Sequence, residues 1–338
     1  MMNNKNILYI GNNLVRKTNY STSMDILSNL LVSEGFIIYK SSSKSNKILR
    51  LLDMCIAILW NFRKVNYVLI DTFSTSNFYY ALFTSQLCRL CNVKYLPILH
   101  GGNLPNRLNQ SPKLSRLIFK NSNQNIAPSG YLKYEFEKKG FSTTLIPNTI
   151  PIKSYRFKKR LKIKPRLLYV RAFAKIYNPT MAIEVLKELK NTYPNATLCM
   201  VGPDKDGTQA DVQQLIKRYQ LHDSVEITGV LSKEDWHKKS EDFDIFINTT
   251  NVDNTPVSVI EAMALGLPVV STNAGGLPYL INNGKDGILI EKENPSKMVQ
   301  QIRVIIEENK TPLAENARLK VENFDWSVVR NQWLKLLG

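Results

Sequence analysis

Short apolar runs alternate along this chain with longer stretches in which apolar positions recur every three or four residues. The first pattern belongs to strands and the second to amphipathic helices. In the first half the runs predict strands at 7–10, 36–39, 67–71, 94–100, 124–127 and 144–146. Helices fall between them at 22–34, 45–62, 76–91, 112–120 and 129–139, and Ser129, directly after a strand, reads as an N-cap. A second series predicts strands at 167–170, 197–201, 225–228, 243–248, 268–272 and 287–290. Its helices lie at 179–191, 210–220, 233–240, from near Pro256, just after Gly276, and at 296–308, 312–322 and 326–337. Repeated strand–helix units with short connections imply parallel sheets covered by helices on both faces, the α/β class.

Residues 151–166, PIKSYRFKKRLKIKPR, break the alternation; they are basic, bounded by proline, and read as a connection between domains. The predicted organisation is a Rossmann-like domain at 1–150, a linker at 151–166 and a second Rossmann-like domain at 167–322. A C-terminal helix at 323–338 is expected to pack back on the first domain. Open α/β sheets bind ligands beyond the carboxyl ends of their strands, so two such domains face to face would leave a cleft between them.

Composition adds bounds. A chain of 338 residues with 43% apolar and 22% charged residues is globular and long enough for two cores. Cys55, Cys88, Cys91 and Cys199 read as reduced thiols rather than a disulfide framework. The Cys88–Cys91 pair has no second CxxC and lies in a helical pattern, which favours a buried helix face over zinc or redox chemistry. The start of the chain reads as a first strand rather than a signal peptide. The longest apolar run, 54–60, is far short of the roughly 20 residues of a membrane-spanning helix. Charge is more informative. Residues 1–165 carry 25 Lys and Arg against 6 Asp and Glu, while 166–338 carry 20 against 22, so the net +17 sits in the first half. One domain is therefore expected to meet an anionic surface, either acidic phospholipid or nucleic acid.

Four loops at strand carboxyl ends could carry chemistry. Gly11-Asn12-Asn13 offers close backbone approach but lacks the GxGxxG dinucleotide pattern. His100-Gly101-Gly102-Asn103 places one of only three histidines where it could meet a substrate hydroxyl. Arg171 and Lys175, four residues apart, could neutralise a diphosphate, the first as a fork and the second as a point charge. The fourth and most informative is Asn248–Gly276, NTTNVDNTPVSVIEAMALGLPVVSTNAGG. Here a helix start with free backbone amides and the Thr255 and Ser258 hydroxyls suits a phosphate. Asp253 precedes that helix and Glu261 lies inside it, among apolar neighbours where a carboxylate requires a partner. The blander alternative makes Asp253 or Asn254 a helix cap and Glu261 a solvated charge.

Together these residues resemble the retaining glycosyltransferases of family 4 and their GT-B fold, two Rossmann-like domains facing each other across a cleft. The likeness is strongest over Glu261-Ala-Met-Ala-Leu-Gly-Leu-Pro-Val-Val through Gly275-Gly276; Gly11, His100-Gly101-Gly102, Ile146-Pro147-Asn148 and Gly202-Pro203 support it. Asp253 stands where the family carries a first glutamate, one methylene longer. The resemblance implies that Glu261 takes ribose hydroxyls of a nucleotide-sugar and that Asp253 lies near the donor sugar. Backbone amides around the Thr255-Pro256-Val257-Ser258 stretch would hold the distal phosphate, and Gly229 would sit in the base-binding loop. Arg171 and Lys175 would stabilise the departing diphosphate, His100 would touch the sugar from the other domain, and Gly11 and Asn12 would complete the donor site.

The implied reaction moves a sugar, with a UDP-sugar favoured, onto a lipid-linked or polysaccharide acceptor in bacterial-type cell-surface glycan synthesis. Configuration would be retained by same-face attack, with Asp253 positioning rather than attacking. No metal or cofactor is implied, the DxD sequences Asp204–Asp206 and Asp242–Asp244 reading as structural. Residues 45–64, and 112–120 with the same basic apolar character, would bring the first domain to the anionic inner face of the plasma membrane, making the protein cytoplasmic and peripheral. The alternative for those helices is that their apolar sides cover the sheet. Two rival readings, a basic nucleic-acid-binding protein and a sugar-nucleotide epimerase on the same scaffold, remain; no nucleic-acid recognition pattern supports the first.

Overall fold

In the computed structural model, which describes residues 5–12 and 22–338, the first six apolar runs form one parallel sheet. Its strands are β1 (Asn6–Ile10), β2 (Ile37–Ser41), β3 (Tyr67–Thr72), β4 (Lys94–Leu99), β5 (Asn125–Ala127) and β6 (Thr143–Leu145), in the order β2-β1-β3-β4-β5-β6. Helices α1 (Ser23–Ser33), α2 (Lys47–Asn61), α3 (Asn77–Leu90), α4 (Leu104–Gln110), α5 (Pro112–Phe119) and α6 (Gly130–Glu137) connect them. Local sequence starts three of these helices. Thr22 forms a capping box with Asp25, Asn46 accepts the Ile48 amide at 2.9 Å, and Ser129 accepts that of Leu132 at 3.1 Å. Helix α4 has no counterpart in the sequence reading, because its seven residues follow Gly101-Gly102 with too few apolar positions to show a period.

Alternate residues of β1 are buried on opposite faces, as a sheet covered twice requires. Leu8 and Ile10 pack with Met54, Ile58, Phe78 and Phe119 from α2, α3 and α5. Ile7 and Tyr9 pack with Met24 and Leu31 of α1, and with Val329, Trp333 and Leu337 of the C-terminal helix, Trp326–Leu337. Accordingly the chain divides into two units, one running to Thr149 and regaining Trp326–Gly338, the other spanning Ile150–Asp325.

The second unit repeats the plan. Its strands are β7 (Arg166–Val170), β8 (Thr197–Val201), β9 (Val225–Gly229), β10 (Ile245–Asn248), β11 (Val269–Thr272) and β12 (Ile288–Ile290), in the order β12-β11-β10-β7-β8-β9. Its helices are α7 (Pro179–Leu189), α8 (Thr208–Arg218), α9 (Lys233–Lys239), α10 (Val257–Ala264), α11 (Leu277–Leu280), α12 (Pro295–Glu307) and α13 (Pro312–Val321). Strand order reverses direction between β1 and β3 in one sheet and between β7 and β10 in the other. Those are the switch points beyond which ligands bind in open α/β sheets.

Residues 150–165 belong to the second unit, although their charge and prolines suggested a free connection. Arg160 explains this: it is 5% exposed and its guanidinium donates to the carbonyls of Phe243, Gly266, Ser240 and Lys158 at 2.8–3.0 Å. Burial lowers its pKa to about 10, against the opposing pull of Asp244. The charge division shifts with it. The unit containing β1 carries 20 Lys and Arg against 6 acids, and the other carries 25 against 22.

Candidate active site

At the switch point of the second sheet, Arg171 follows β7 and a polar loop follows β10. That loop is tied down by its threonines. Thr249 Oγ1 donates to the carbonyls of Tyr177 and Asn178, and the Asn251 amide donates to Ile176 at 2.9 Å. The result brings Asp253 onto Arg171 as an ion pair, with the guanidinium also 4.2 Å from the centre of the Tyr177 ring. Asp253 is buried, and its other oxygen accepts the Asn254 amide at 2.9 Å. Burial pushes its carboxyl above the usual range, outweighing the downward pull of Arg171. Asp253 is thus no helix cap, and Arg171 is no solvated surface cation.

Helix α10 begins at Val257 with Pro256 in the N-cap position and no side chain capping its amides. Two buried polar atoms here, Thr255 Oγ1 and Arg171 Nε, have no hydrogen-bond partner among the described residues. One turn into α10, Glu261 is 3% exposed, and its Oε1 accepts from Tyr155 Oη and Lys233 Nζ, both at 2.8 Å. The Tyr155 ring lies 4.7 Å from that of His237, whose pKa burial lowers. Tyr155 comes from the segment expected to be a linker, and Lys233 opens α9.

Of the other residues singled out in this unit, Gly229 ends β9 at φ +69°, where its carbonyl accepts the Gly202 amide at 2.8 Å. Lys175 is exposed; its backbone amide donates to Asp206 at 3.0 Å, and no contact of its side chain joins it to Arg171. Asp206 also takes the Thr208 amide at 3.2 Å, while Asp244 pairs with Arg166 at 2.6 Å. Both DxD sequences therefore hold local backbone or neighbouring cations. Among the described residues no cluster of three His, Cys, Asp or Glu side chains could hold a metal.

In the first unit Gly11 follows β1, and a Cβ on it would lie 2.5 Å from Asp71 Oδ2. Asn12 accepts from Arg50 at 3.0 Å, and Asn13 lies outside the described residues. His100 follows β4, bonds Asp71 through Nε2 at 2.8 Å and stacks on Phe73 at 4.8 Å. Cys88 is buried and its thiol is pushed up to about 12 by burial, the opposite of a reactive cysteine. Sequence reasoning missed Asp71, Tyr155 and Lys233. Only Asp71 left a signal, being the sole acid between Asp53 and Glu135, at the end of an apolar strand.

A sequence model of the glycosyl transferases group 1 family matches residues 152–320, half of the chain, including Tyr155, Arg171, Lys233, Asp253 and Glu261 but none of the first unit's candidates. The chain belongs to that family. Among relatives of this glycosyltransferase, sulfoquinovosyl transferase SQD2 of Arabidopsis thaliana is 27% identical over 151 residues, 43% of this chain and 28% of that protein. The N,N'-diacetylbacillosaminyl-diphospho-undecaprenol alpha-1,3-N-acetylgalactosaminyltransferase of Campylobacter jejuni is 30% identical over 95 residues, 28% of this chain and 25% of that one. The matched part of such relatives is thus well under two thirds of their length. HepE of Anabaena, solved with UDP and glucose, superposes with a TM-score of 0.77 over 98% of this chain and 99% of that chain, at 16% identity. The sucrose-phosphate synthase of Thermosynechococcus elongatus gives 0.80 over 98% of each chain, also at 16% identity. At that identity the likeness is one of fold, the two-domain GT-B arrangement of parallel sheets.

Proposed function

We propose that this group 1 glycosyltransferase moves a sugar from a nucleotide-sugar, with UDP-sugars favoured, to a lipid-linked or glycan acceptor with retention of configuration. The observation that carries the reading is the Arg171–Asp253 ion pair at the switch point of the second sheet, just ahead of the uncapped start of α10. Charge flows onto the diphosphate as the glycosidic bond breaks, so catalysis needs preorganised donors more than a nucleophile. Arg171 and the α10 amides supply that stabilisation, joined by Lys175 once a diphosphate draws its free side chain in. Asp253, held by Arg171, faces the donor sugar. Glu261 keeps one oxygen on Tyr155 and Lys233 and offers the other to ribose hydroxyls. Gly229 borders the base, and the family likeness assigns His100, Gly11 and Asn12 of the first unit to donor contacts of their own. No metal or cofactor enters the scheme.

The preference for UDP and for a lipid-linked acceptor draws on relatives. HepE was solved with UDP and glucose, and the Campylobacter enzyme is named for a diphospho-undecaprenol acceptor. A thermal-shift screen across UDP-, GDP- and ADP-sugars, followed by transfer of the stabilising sugar to a polyprenyl-diphosphate glycan, tests the proposal. Stabilisation that persists in Glu261→Ala would sink the site assignment. Conversion of the sugar without any acceptor would favour epimerisation instead.

The acceptor reading extends to an anionic bilayer at the cytoplasmic face, supported by the outer side of α2. Ile48, Leu49, Leu52, Ile56, Leu59 and Trp60 are all exposed, Trp60 by 78%, opposite the buried Arg50, Met54 and Ile58. Tyr79, Phe83 and Leu90 of α3, which packs beside α2, are exposed as well. The expectation that α2 merely covers the sheet therefore fails for one of its two apolar sides, and Arg50 is a structural cation rather than a lipid-facing one. Between Asp53 and Glu135 the chain has nine Lys and Arg against Asp71 alone, a balance suited to anionic headgroups. No described helix is long and apolar enough to cross a membrane. Flotation with phosphatidylglycerol vesicles tests the contact; absence of salt-sensitive binding would refute it.

A further inference from the structure

At the switch point of the first sheet, two side chains converge on one oxygen of a third. Tyr9 Oη on β1 and His100 Nε2 past β4 lie 3.0 and 2.8 Å from Asp71 Oδ1 on β3. The pair is almost dry, with side-chain exposures of 12% for His100 and 8% for Asp71. An ionised carboxylate only accepts, so both partners must donate. Tyr9 meets that condition, since burial first and Asp71 second push its phenol well above the ordinary range. Phe73, stacked at 4.8 Å and 20°, fixes the plane of the imidazole. Gly11 closes the other side of the carboxylate, where a Cβ would sit 2.5 Å from Oδ2. A carboxylate shielded this far from water is costly to keep for packing alone, when an apolar side chain would fill the space.

We propose that Asp71 is a positioning residue for His100: it holds the imidazole as the Nε2–H tautomer, so that Nδ1 is the nitrogen presented to substrate. Neutral Nδ1 accepts a hydrogen bond from a sugar hydroxyl, the opposite polarity from the donor it would be in the other tautomer. That last step rests on the transfer reading; the tautomer does not.

The test is a long-range ¹H–¹⁵N spectrum of the full chain at a pH where the imidazole is neutral, read together with steady-state kinetics. The three histidines are His100, His222 and His237, and His100→Gln identifies the relevant signal. The parent protein is expected to show His100 wholly as Nε2–H, and Asp71→Asn, whose amide can donate or accept, a tautomer mixture. Gly11→Ala, which crowds the carboxylate without removing it, is expected to loosen the tautomer too and guards against a misfolded Asp71→Asn. Asp71→Asn should lower kcat about tenfold to a hundredfold with donor KM within about twofold. An Nδ1–H signal in the parent, or an unchanged signal in both variants, overturns the tautomer assignment. Mixed tautomers with undiminished kcat overturn its role in turnover. A parent that transfers no sugar yet shows the Asp71-dependent tautomer refutes the transfer reading and leaves the lock standing.

Discussion

Gly276 lies so close to Asn254 that a Cβ on it would sit 1.8 Å from the Asn254 carbonyl oxygen. Its neighbour Gly275, at φ +54°, would place a Cβ 2.0 Å from the carbonyl of Asp253, which itself accepts the Gly276 amide at 3.1 Å. The paired glycines thus act as the seat of the loop that carries Asp253. Backbone cannot yield as a flexible side chain would, so Gly276→Ala is expected to displace Asp253 and Asn254 together. Melting temperature should fall by several degrees, and nucleotide-sugar affinity by about tenfold or more. Calorimetry with and without donor checks both. An alanine variant that melts and binds like the parent would refute the seating argument.

That contact also shows what the sequence made legible. Among the described residues all twelve strands and nearly every helix were readable because each apolar run is short and bounded by polar or turn residues. Glu261 stood out as a carboxylate among apolar neighbours, and the structure supplies the partners that burial demands. Those partners, Tyr155 and Lys233, were not readable, lying 106 and 28 positions away in segments whose charge suggested solvent. Arg160 misled for the same reason. A basic stretch does not announce which of its cations will be buried against carbonyls.

Asp253→Asn should separate stability from activity. The carboxyl pKa is raised in the folded state, so the unfolded chain ionises first as pH rises from about 4, and folding stability is lost across that window. Above it, ionised Asp253 remains a net cost that asparagine removes. The variant's melting temperature relative to the parent is therefore expected to rise with pH from about 4 and to level off once Asp253 of the folded chain has ionised. Transfer should meanwhile drop about a hundredfold or more. Full activity in Asp253→Asn alongside an inactive Glu261→Ala would contradict the role given to Asp253.

Tyr155→Phe and Lys233→Ala each remove one donor from Glu261 Oε1. With its remaining partner in place the carboxylate stays buried but less fixed, a loss of about 1–2 kcal/mol in binding. Donor KM should rise about five- to thirtyfold in either variant with kcat little changed. The double variant should exceed the sum, since nothing then compensates the buried charge. A kcat effect without a KM effect would move Glu261 from donor binding to the chemical step.

Arg160→Met should be chiefly a stability variant. Five carbonyls lose a hydrogen bond at once in a site from which water is largely excluded, at a cost of about 3–5 kcal/mol. Chemical denaturation is expected to show the loss in full, while donor KM of the folded fraction stays near that of the parent. A stable variant with impaired KM would mean that the 150–165 segment serves the site rather than the fold.

The α2 surface admits a test that separates docking from folding, because its two sides are independent. Leu52, Ile56 and Trp60 share the exposed side and touch none of the core that Met54 and Ile58 enter. Replacing all three with serine removes apolar area of which about half or more is already in water, so the loss of stability should stay well below that of one core truncation, about 2–5 kcal/mol. If the patch enters the interface of an anionic bilayer, the same change should lower vesicle partitioning by about a hundredfold or more, at roughly 1–2 kcal/mol for each large side chain withdrawn. Turnover on a short water-soluble acceptor should be unaffected, and turnover on a vesicle-borne acceptor should fall with partitioning. Equal losses on both acceptors would place the effect in the catalytic unit and remove the case for docking through α2.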